Sequence, residues 1–158
     1  MHELIRILCK FAFQNKIFMI YISRNAHFSA AHKLNNPKWD QEKNEEMFGV
    51  CANENWHGHN FDLTVTVKGE PDPETGFVMN FTDLKQIVNR EILDKVDHKN
   101  LNMDVDFLKG KMISCETLTI EFWKILDVEV RKATGDRVSL YRIKLYETPN
   151  NFAEYFGE

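Results

Sequence analysis

Alternation of apolar and polar residues marks out four strands, and a helical spacing marks out two helices between the second and third of them. Over Ile20–His32 the period is two, with Phe28, Ala30 and His32 on one parity and His27, Ser29 and Ala31 on the other. Period two returns over His57–Gly69, where Phe61, Leu63, Val65 and Val67 share the parity of His57 and His59. Leu84, Ile87, Val88 and Ile92 recur at helical spacing, so a helix capped by Asn80 is expected to run to about Val96 and to end in Asp97–Asn102. A second helix, capped by Ser114 or Thr117, places Leu118, Phe122, Ile125, Leu126 and Val130 toward a core and closes at Thr134-Gly135-Asp136. The third strand is Val138–Tyr146, with Leu140, Arg142 and Lys144 on one face and Tyr141, Ile143 and Leu145 on the other. Glu147–Asn151 and Pro71–Gly76 read as turns, Phe77–Asn80 as a short extended piece and Phe152–Phe156 as a short last strand. Residues 33–50 form a long loop, of a length more often functional than accidental. Two strands, two helices and two strands predict an α+β domain, an antiparallel four-stranded sheet with two helices on one face.

At 158 residues the chain is sized for one domain. Its 43% apolar and 28% charged residues are ordinary for a soluble globular protein. A net charge of −4 speaks against a general nucleic-acid binder, whose footprint is a basic patch, but leaves room for an anionic small substrate. Cys9, Cys51 and Cys115 are odd in number and widely spaced, so no disulfide framework is implied. Residues 1–19 are apolar and basic, but Lys10, Gln14, Asn15 and Lys16 interrupt any signal-peptide core and no small-residue cleavage site follows. An extra helix or strand-like extension, or translated upstream sequence with Met19 as the functional start, is the expectation, with Cys9 an apolar filler. No apolar run approaches the length of a membrane span, and a cytoplasmic setting that keeps thiols reduced is the natural reading.

The chemistry concentrates in Cys51–Phe61. His57 and His59 stand one residue apart at the start of a strand, so both imidazoles project to one face. Gly58 between them lets the backbone approach whatever they hold. A hairpin-like pairing of the first two strands brings in His32, preceded by the small residues Ala30 and Ala31. Three neutral imidazoles leave one position open on a tetrahedral Zn²⁺, the arrangement of a catalytic site. Cys51 reads equally as a fourth ligand or as a free thiol beside the metal. Asp97-His98 and Glu147 are weak signals alone. Cys115 just inside a helix N-terminus is either an activated thiol or a buried small residue.

Taken in order, Phe28-Ser-Ala-Ala-His32, Cys51-x5-His57-Gly-His59-Asn60, Asp97-His98-Lys-Asn-Leu101, Cys115-Glu116 and Tyr146-Glu147-Thr resemble the 6-pyruvoyl-tetrahydropterin synthase family, which also includes the 6-carboxytetrahydropterin synthases of queuosine biosynthesis. The resemblance covers about residues 20–158, a single domain, and leaves 1–19 outside. It implies a tunnelling fold, in which several subunits pool their sheets into a barrel, commonly as a homo-hexamer with active sites between subunits. It further implies His32, His57 and His59 as zinc ligands, and Cys51 as general base. Asp97 and His98 of a neighbouring subunit would relay its proton, Glu147 would anchor the pterin, and Glu116 would lie beside it. Ser114 keeps the hydroxyl that the family places before the second helix, whereas Cys115 departs from it. Trp56 stands where pyruvoyl-type members can carry glycine.

The substrate so implied is 7,8-dihydroneopterin triphosphate. A carboxylate matches the adjacent N–H donors of its pyrimidinone edge. Zn²⁺ would acidify its side-chain hydroxyls, and a partly ionised thiol, its pKa lowered by a neighbouring imidazole and the metal, would remove carbon-bound protons. No dinucleotide-binding signal is present, and the substrate supplies its own reducing equivalents. The five-residue gap from Cys51 to His57 favours 6-pyruvoyl-tetrahydropterin as product over 6-carboxytetrahydropterin with acetaldehyde. A non-catalytic pterin- or purine-binding protein and a structural zinc protein are the readings from other classes. For the triphosphate, Arg24, Lys33, Lys99 and Lys144 are unranked candidates.

Overall fold

The computed structural model describes residues 18–158. The expectations for residues 1–17, Cys9 among them, lie outside the described residues. Strands β1 (Ile20–His32) and β2 (His57–Gly69) have the predicted bounds and pair antiparallel along their whole length. β2 also pairs with β4 (Val138–Thr148), which pairs with β5 (Asn151–Tyr155). A two-residue strand, β3 (Lys99–Asn100), runs parallel to Ala30–Ala31 at the outer edge, giving the order β3-β1-β2-β4-β5. The four long strands and the helical layer on one face are those the alternation predicts. β3 is an addition: two residues carry no period.

Helix α1 (Gln41–Phe48) lies inside the stretch expected to be loop. Its sequence has no apolar stripe, so periodicity is blind to it. What holds it is polar: Asp40 Oδ1 accepts from the Lys43 backbone N–H at 2.9 Å. Buried Asn44 accepts from the Asn36 N–H at 2.7 Å and donates to the carbonyls of Asn36, Trp39 and Asp40. A short 3₁₀ turn, Gly49–Ala52, follows and carries Cys51.

Helix α2 (Phe81–Val88), capped by Asn80, continues through a π-helical turn (Asn89–Leu93) to a last α-turn (Asp94–Val96), as far as the spacing predicts. Helix α3 (Cys115–Thr134) takes Ser114, not Thr117, as its cap, and Gly135 in the left-handed conformation ends it. Phe77–Asn80 is bent rather than extended.

Leu84, Val88 and Ile92 from the α2 segment and Leu118, Phe122, Leu126 and Val130 from α3 pack against Phe61, Leu63, Val65 and Val67, all fully buried. Each such side chain contributes about 1.5–3 kcal/mol. The same parity carries past Phe61 to His59 and His57, so the apolar core runs directly into the histidines.

Two irregularities in β4 correct the sequence reading. Thr66 pairs with Arg142 but Val67 with Leu140, so Tyr141 is an extra residue. The bulge flips the phase, and Leu140 is buried on the same side as Ile143 and Leu145 instead of sharing a face with Arg142 and Lys144. A second register shift falls between Tyr146 and Thr148. Glu147 therefore belongs to the strand, not to a turn, and sits unpaired at a bulge that re-aims its side chain.

Candidate functional site

Antiparallel register puts His32 directly opposite His57, and His59 opposite Ala30. The three ring centroids lie 4.5, 4.9 and 5.2 Å apart, and one ligand atom from each residue falls within 4.8 Å of the others. Gly58 serves this arrangement from the opposite side. A Cβ there would lie 3.3 Å from the Ala30 carbonyl, so glycine permits close approach of β1, not of a metal. Ala30 and Ala31 likewise make room for β3.

His32 Nδ1 lies 2.8 Å from the Ile113 carbonyl oxygen, which can only accept; the proton is therefore on Nδ1 and Nε2 presents a lone pair. That Nε2, both ring nitrogens of His57 and Nε2 of His59 are buried without a hydrogen-bond partner. Glu147 Oε1 approaches His32 Nε2 at 3.4 Å and His59 Nε2 at 3.9 Å, beside the cluster but not aligned as a hydrogen bond. Burial, with the backbone bond opposing it and the two other imidazoles adding to it, lowers the His32 pKa to about 4. Burial followed by His59 lowers that of His57. Converging, unpartnered ring nitrogens form the donor set that a nitrogen-preferring divalent cation requires, so the residues fit a metal. The Cys51 sulfur is outside this group.

His32, Cys51, Ser114, Glu116 and Glu147 line one cavity of about 230 Å³. Cys51 is held there by its backbone, whose carbonyl accepts from the Leu34 N–H at 2.8 Å. Gln41 Nε2 donates to the neighbouring Ala52 carbonyl at 3.2 Å. Within the chain the Cys51 thiol is pushed up, first by burial and then by the charge of Glu147. The lowering expected from the sequence is not provided by this chain's own side chains. Ser114 accepts from the Thr117 N–H at 3.3 Å as the α3 cap. Its hydroxyl, and next the residue's own N–H, hold Glu116 below the usual carboxylate range. Cys115 is the buried small residue of the two alternatives: Sγ donates to the Leu145 carbonyl at 3.3 Å, and burial raises its pKa to about 11.

Asp97 and His98 are elsewhere. His98, at φ +57°, directs its ring outward and is 81% exposed. Asp97 Oδ1 accepts from the Ser29 N–H at 2.9 Å and lies 3.0 Å from His98 Nδ1. The Ser29 bond is the main reason that Asp97 stays below the usual carboxylate range. Both residues immediately precede β3 at the sheet edge, and His98 lines an open cavity other than that of Cys51, with Ser29, His59, Asn60 and Lys99. One chain does not bring them to Cys51.

Among the candidate anion contacts, none lines the Cys51–Glu147 cavity. Lys144 is stacked over Phe152 at 3.8 Å, Lys33 over Trp56 at 4.7 Å, Arg24 has a buried Nε without a partner, and Lys99 belongs to the His98 cavity. Sequence reasoning missed Leu34, Asn151 and Phe152 of the cavity wall and the Ile113 carbonyl behind His32. A carbonyl leaves no trace in a residue pattern, whereas Asn151 and Phe152 follow Glu147 closely enough to have been considered.

Comparison with known proteins agrees with this architecture. The family model described as 6-pyruvoyl tetrahydropterin synthase matches residues 21–158. A 6-pyruvoyl tetrahydrobiopterin synthase of Pongo abelii is 43% identical over 141 residues, covering 87% of this chain and 91% of that protein. The Homo sapiens protein of the same name is 42% identical with the same coverage. The solved structure of Caenorhabditis elegans 6-pyruvoyl tetrahydropterin synthase superposes with a TM-score of 0.81 at 35% identity, covering 90% of this chain and 98% of that one.

Proposed function

The chain belongs to the 6-pyruvoyl tetrahydropterin synthase family, and we propose that its three-histidine cleft converts 7,8-dihydroneopterin triphosphate to 6-pyruvoyl-tetrahydropterin with release of triphosphate. The observation that carries this reading is that His32, one of three clustered imidazoles with unpartnered ring nitrogens, lines the same cavity as a thiol and a carboxylate. In it, residues 20–158 are the synthase domain and the setting is cytoplasmic; among the described residues no helix is long and apolar enough to cross a membrane.

His32, His57 and His59 would hold Zn²⁺, with the Ile113 carbonyl fixing the His32 tautomer. Bound there, zinc would supply Lewis acidity toward the side-chain hydroxyls of the substrate. Glu147 presents two acceptor oxygens to the adjacent N–H donors of the pyrimidinone edge, and its place at a β-bulge aims it into the cleft. Ser114 and Glu116, at the first turn of α3, border the same ring. Cys51 removes a proton from a side-chain carbon. Because Cys51 is raised within its own chain, its ionisation needs a base and a cation nearby. Asp97 holds His98 by Nδ1 and leaves Nε2 free to take the thiol proton. Since Asp97–His98 faces outward at the sheet edge, a second copy would bring it to Cys51.

The edges of the sheet support an assembly of several copies. β1 is paired by β3 only at Ala30–Ala31, and β5 has no outer partner among the described residues. Both edges are thus available to continue into neighbouring copies, and closing a ring of sheets removes the exposed edges. These edges support our inference of a homo-hexamer with sites between subunits.

Incubating the zinc-loaded protein with 7,8-dihydroneopterin triphosphate and identifying the products by mass spectrometry tests the reading. The expected pair is 6-pyruvoyl-tetrahydropterin and triphosphate. Acetaldehyde in place of the pyruvoyl product would assign the 6-carboxytetrahydropterin activity, and tight binding without triphosphate release would assign a non-catalytic role.

A further inference from the structure

Past the metal ligands the β1–β2 ladder is continued by side chains. Since His32 pairs with His57, the next facing positions are Lys33 and Trp56, just outside the two strands. Lys33 Nζ stands 4.7 Å from the Trp56 ring centroid, within the range of a cation–π attraction. Each half of the pair is fixed independently. The Lys33 N–H donates to Asn102 Oδ1 at 3.1 Å, while its carbonyl accepts from Asn102 Nδ2 at 3.0 Å. The Trp56 N–H donates to the Asn53 carbonyl at 3.0 Å, which sets the turn into β2.

The backbone at Trp56 makes the choice of residue informative. Its φ of +67° lies in the left-handed region, where glycine is at ease and an indole-bearing residue is not. A bulky aromatic at such a position needs a compensating contact, and the ammonium of Lys33 is the contact present. We propose that Lys33 and Trp56 form a clamp across the open end of the ladder, positioning His32 and His57 opposite each other for the metal. They are positioning residues: each is covalently adjacent to one ligand, and the contact between them fixes the distance between the two.

The inference rests on the three-histidine metal reading, and its test separates the two. Zinc affinity of the full-length protein is measured by competition with a chromophoric chelator, alongside thermal unfolding of the metal-free form. Lys33→Met and Trp56→Gly are each expected to weaken zinc binding about fivefold, and the double substitution no more than either alone, as for two halves of one contact. Lys33→Arg and Trp56→Phe, which keep cation and ring face, should stay within about twofold of the parent. The direction is diagnostic, because removing a positive charge near a bound dication would by electrostatics alone tighten it. Trp56→Gly relieves the left-handed strain, so its metal-free melting temperature should hold or rise while zinc affinity falls.

Unchanged or tighter zinc binding in Lys33→Met or Trp56→Gly overturns the clamp, as do fully additive losses or a parallel fall in metal-free stability. A parent chain that binds no zinc, or binds it independently of the three histidines, overturns the metal reading and the clamp with it.

Discussion

The two groups of histidines in this chain are built in opposite ways. His32 is 1% exposed, locked by the Ile113 carbonyl and faced by His57 across a continuous antiparallel ladder. His98 is 81% exposed, stands on a left-handed residue beside a two-residue strand, and has Asp97 as its side-chain partner. The first site is set against the core of its own chain and turns unpartnered nitrogens toward one another, as a cation would require. The second is a charged, oriented pair presented to the outside, whose free ring nitrogen has no task within the same chain. The role proposed for this pair requires the edge to be an interface, and the open sides of β1 and β5 are where this sheet would continue into another copy.

The largest expected effect comes from breaking the buried side. His57→Ala should abolish zinc binding and reduce turnover by about a thousandfold or more, since several kcal/mol of charge stabilisation go with the ion; metal content and single-turnover rates check it. Cys51→Ala should lower turnover by about 10²–10⁴ with zinc retained. Metal analysis beside kinetics distinguishes this from loss of a ligand. His98→Ala should fall in the same range with zinc again retained, although His98 touches neither Cys51 nor the cluster in its own chain.

Smaller effects sharpen the contrast in burial. In the unfolded chain His32 and His57 have ordinary values near 6.5, whereas in the metal-free fold His32 is lowered to about 4 and His57 is lowered too. Between those values the unfolded state binds more protons, so stability rises with pH through this window and is lost as pH falls from about 6.5 toward 4. The His32 contribution is on the order of 3 kcal/mol. Chelator-treated protein melted across that range should show the loss, and Phe in place of His32 should flatten it. The smallest effect is expected at Cys115→Thr. Its thiol is engaged with the Leu145 carbonyl, and a hydroxyl of similar size can make the same bond, so KM should change by less than about threefold. A large fall in KM would show instead that a hydroxyl there reaches the substrate.

How far the residues foretell all this depends on the kind of force involved. β1, β2 and α3 are held by apolar burial, which repeats along the chain and is visible as a period; the meeting of His32 with His57 follows from pairing the first two strands. α1 is held by Asp40 and the amide of Asn44, single residues with no repeat, and so it passes for loop. The bulge at Tyr141 is a shift of phase that the strand's own alternation conceals until its partner is known. Glu147 reads as a turn residue because Thr148, Pro149 and Asn150 follow it, yet Tyr146 and Thr148 on either side of it pair with Phe152 and Asn151 of β5 and keep it in the sheet's end. The raised thiol of Cys51 depends on burial and on a carboxylate about a hundred residues later in the chain, neither of which spacing reveals. Trp56 is the reverse case: its departure from glycine was plain in the sequence, and its left-handed backbone supplies the physical reason that glycine suits the place.

Mixed assembly tests most directly whether the buried and exposed halves belong to one site. Cys51→Ala and His98→Ala chains, each nearly inactive alone, are unfolded together at equal amounts, refolded with zinc and assayed. If Cys51 of one copy works with His98 of another, random mixing restores both groups to about a quarter of the sites, and activity should recover to about that fraction of the parent. Recovery to no more than the level of the separate variants, from a mixture shown to contain both chains in one assembly, would contradict a site shared between copies.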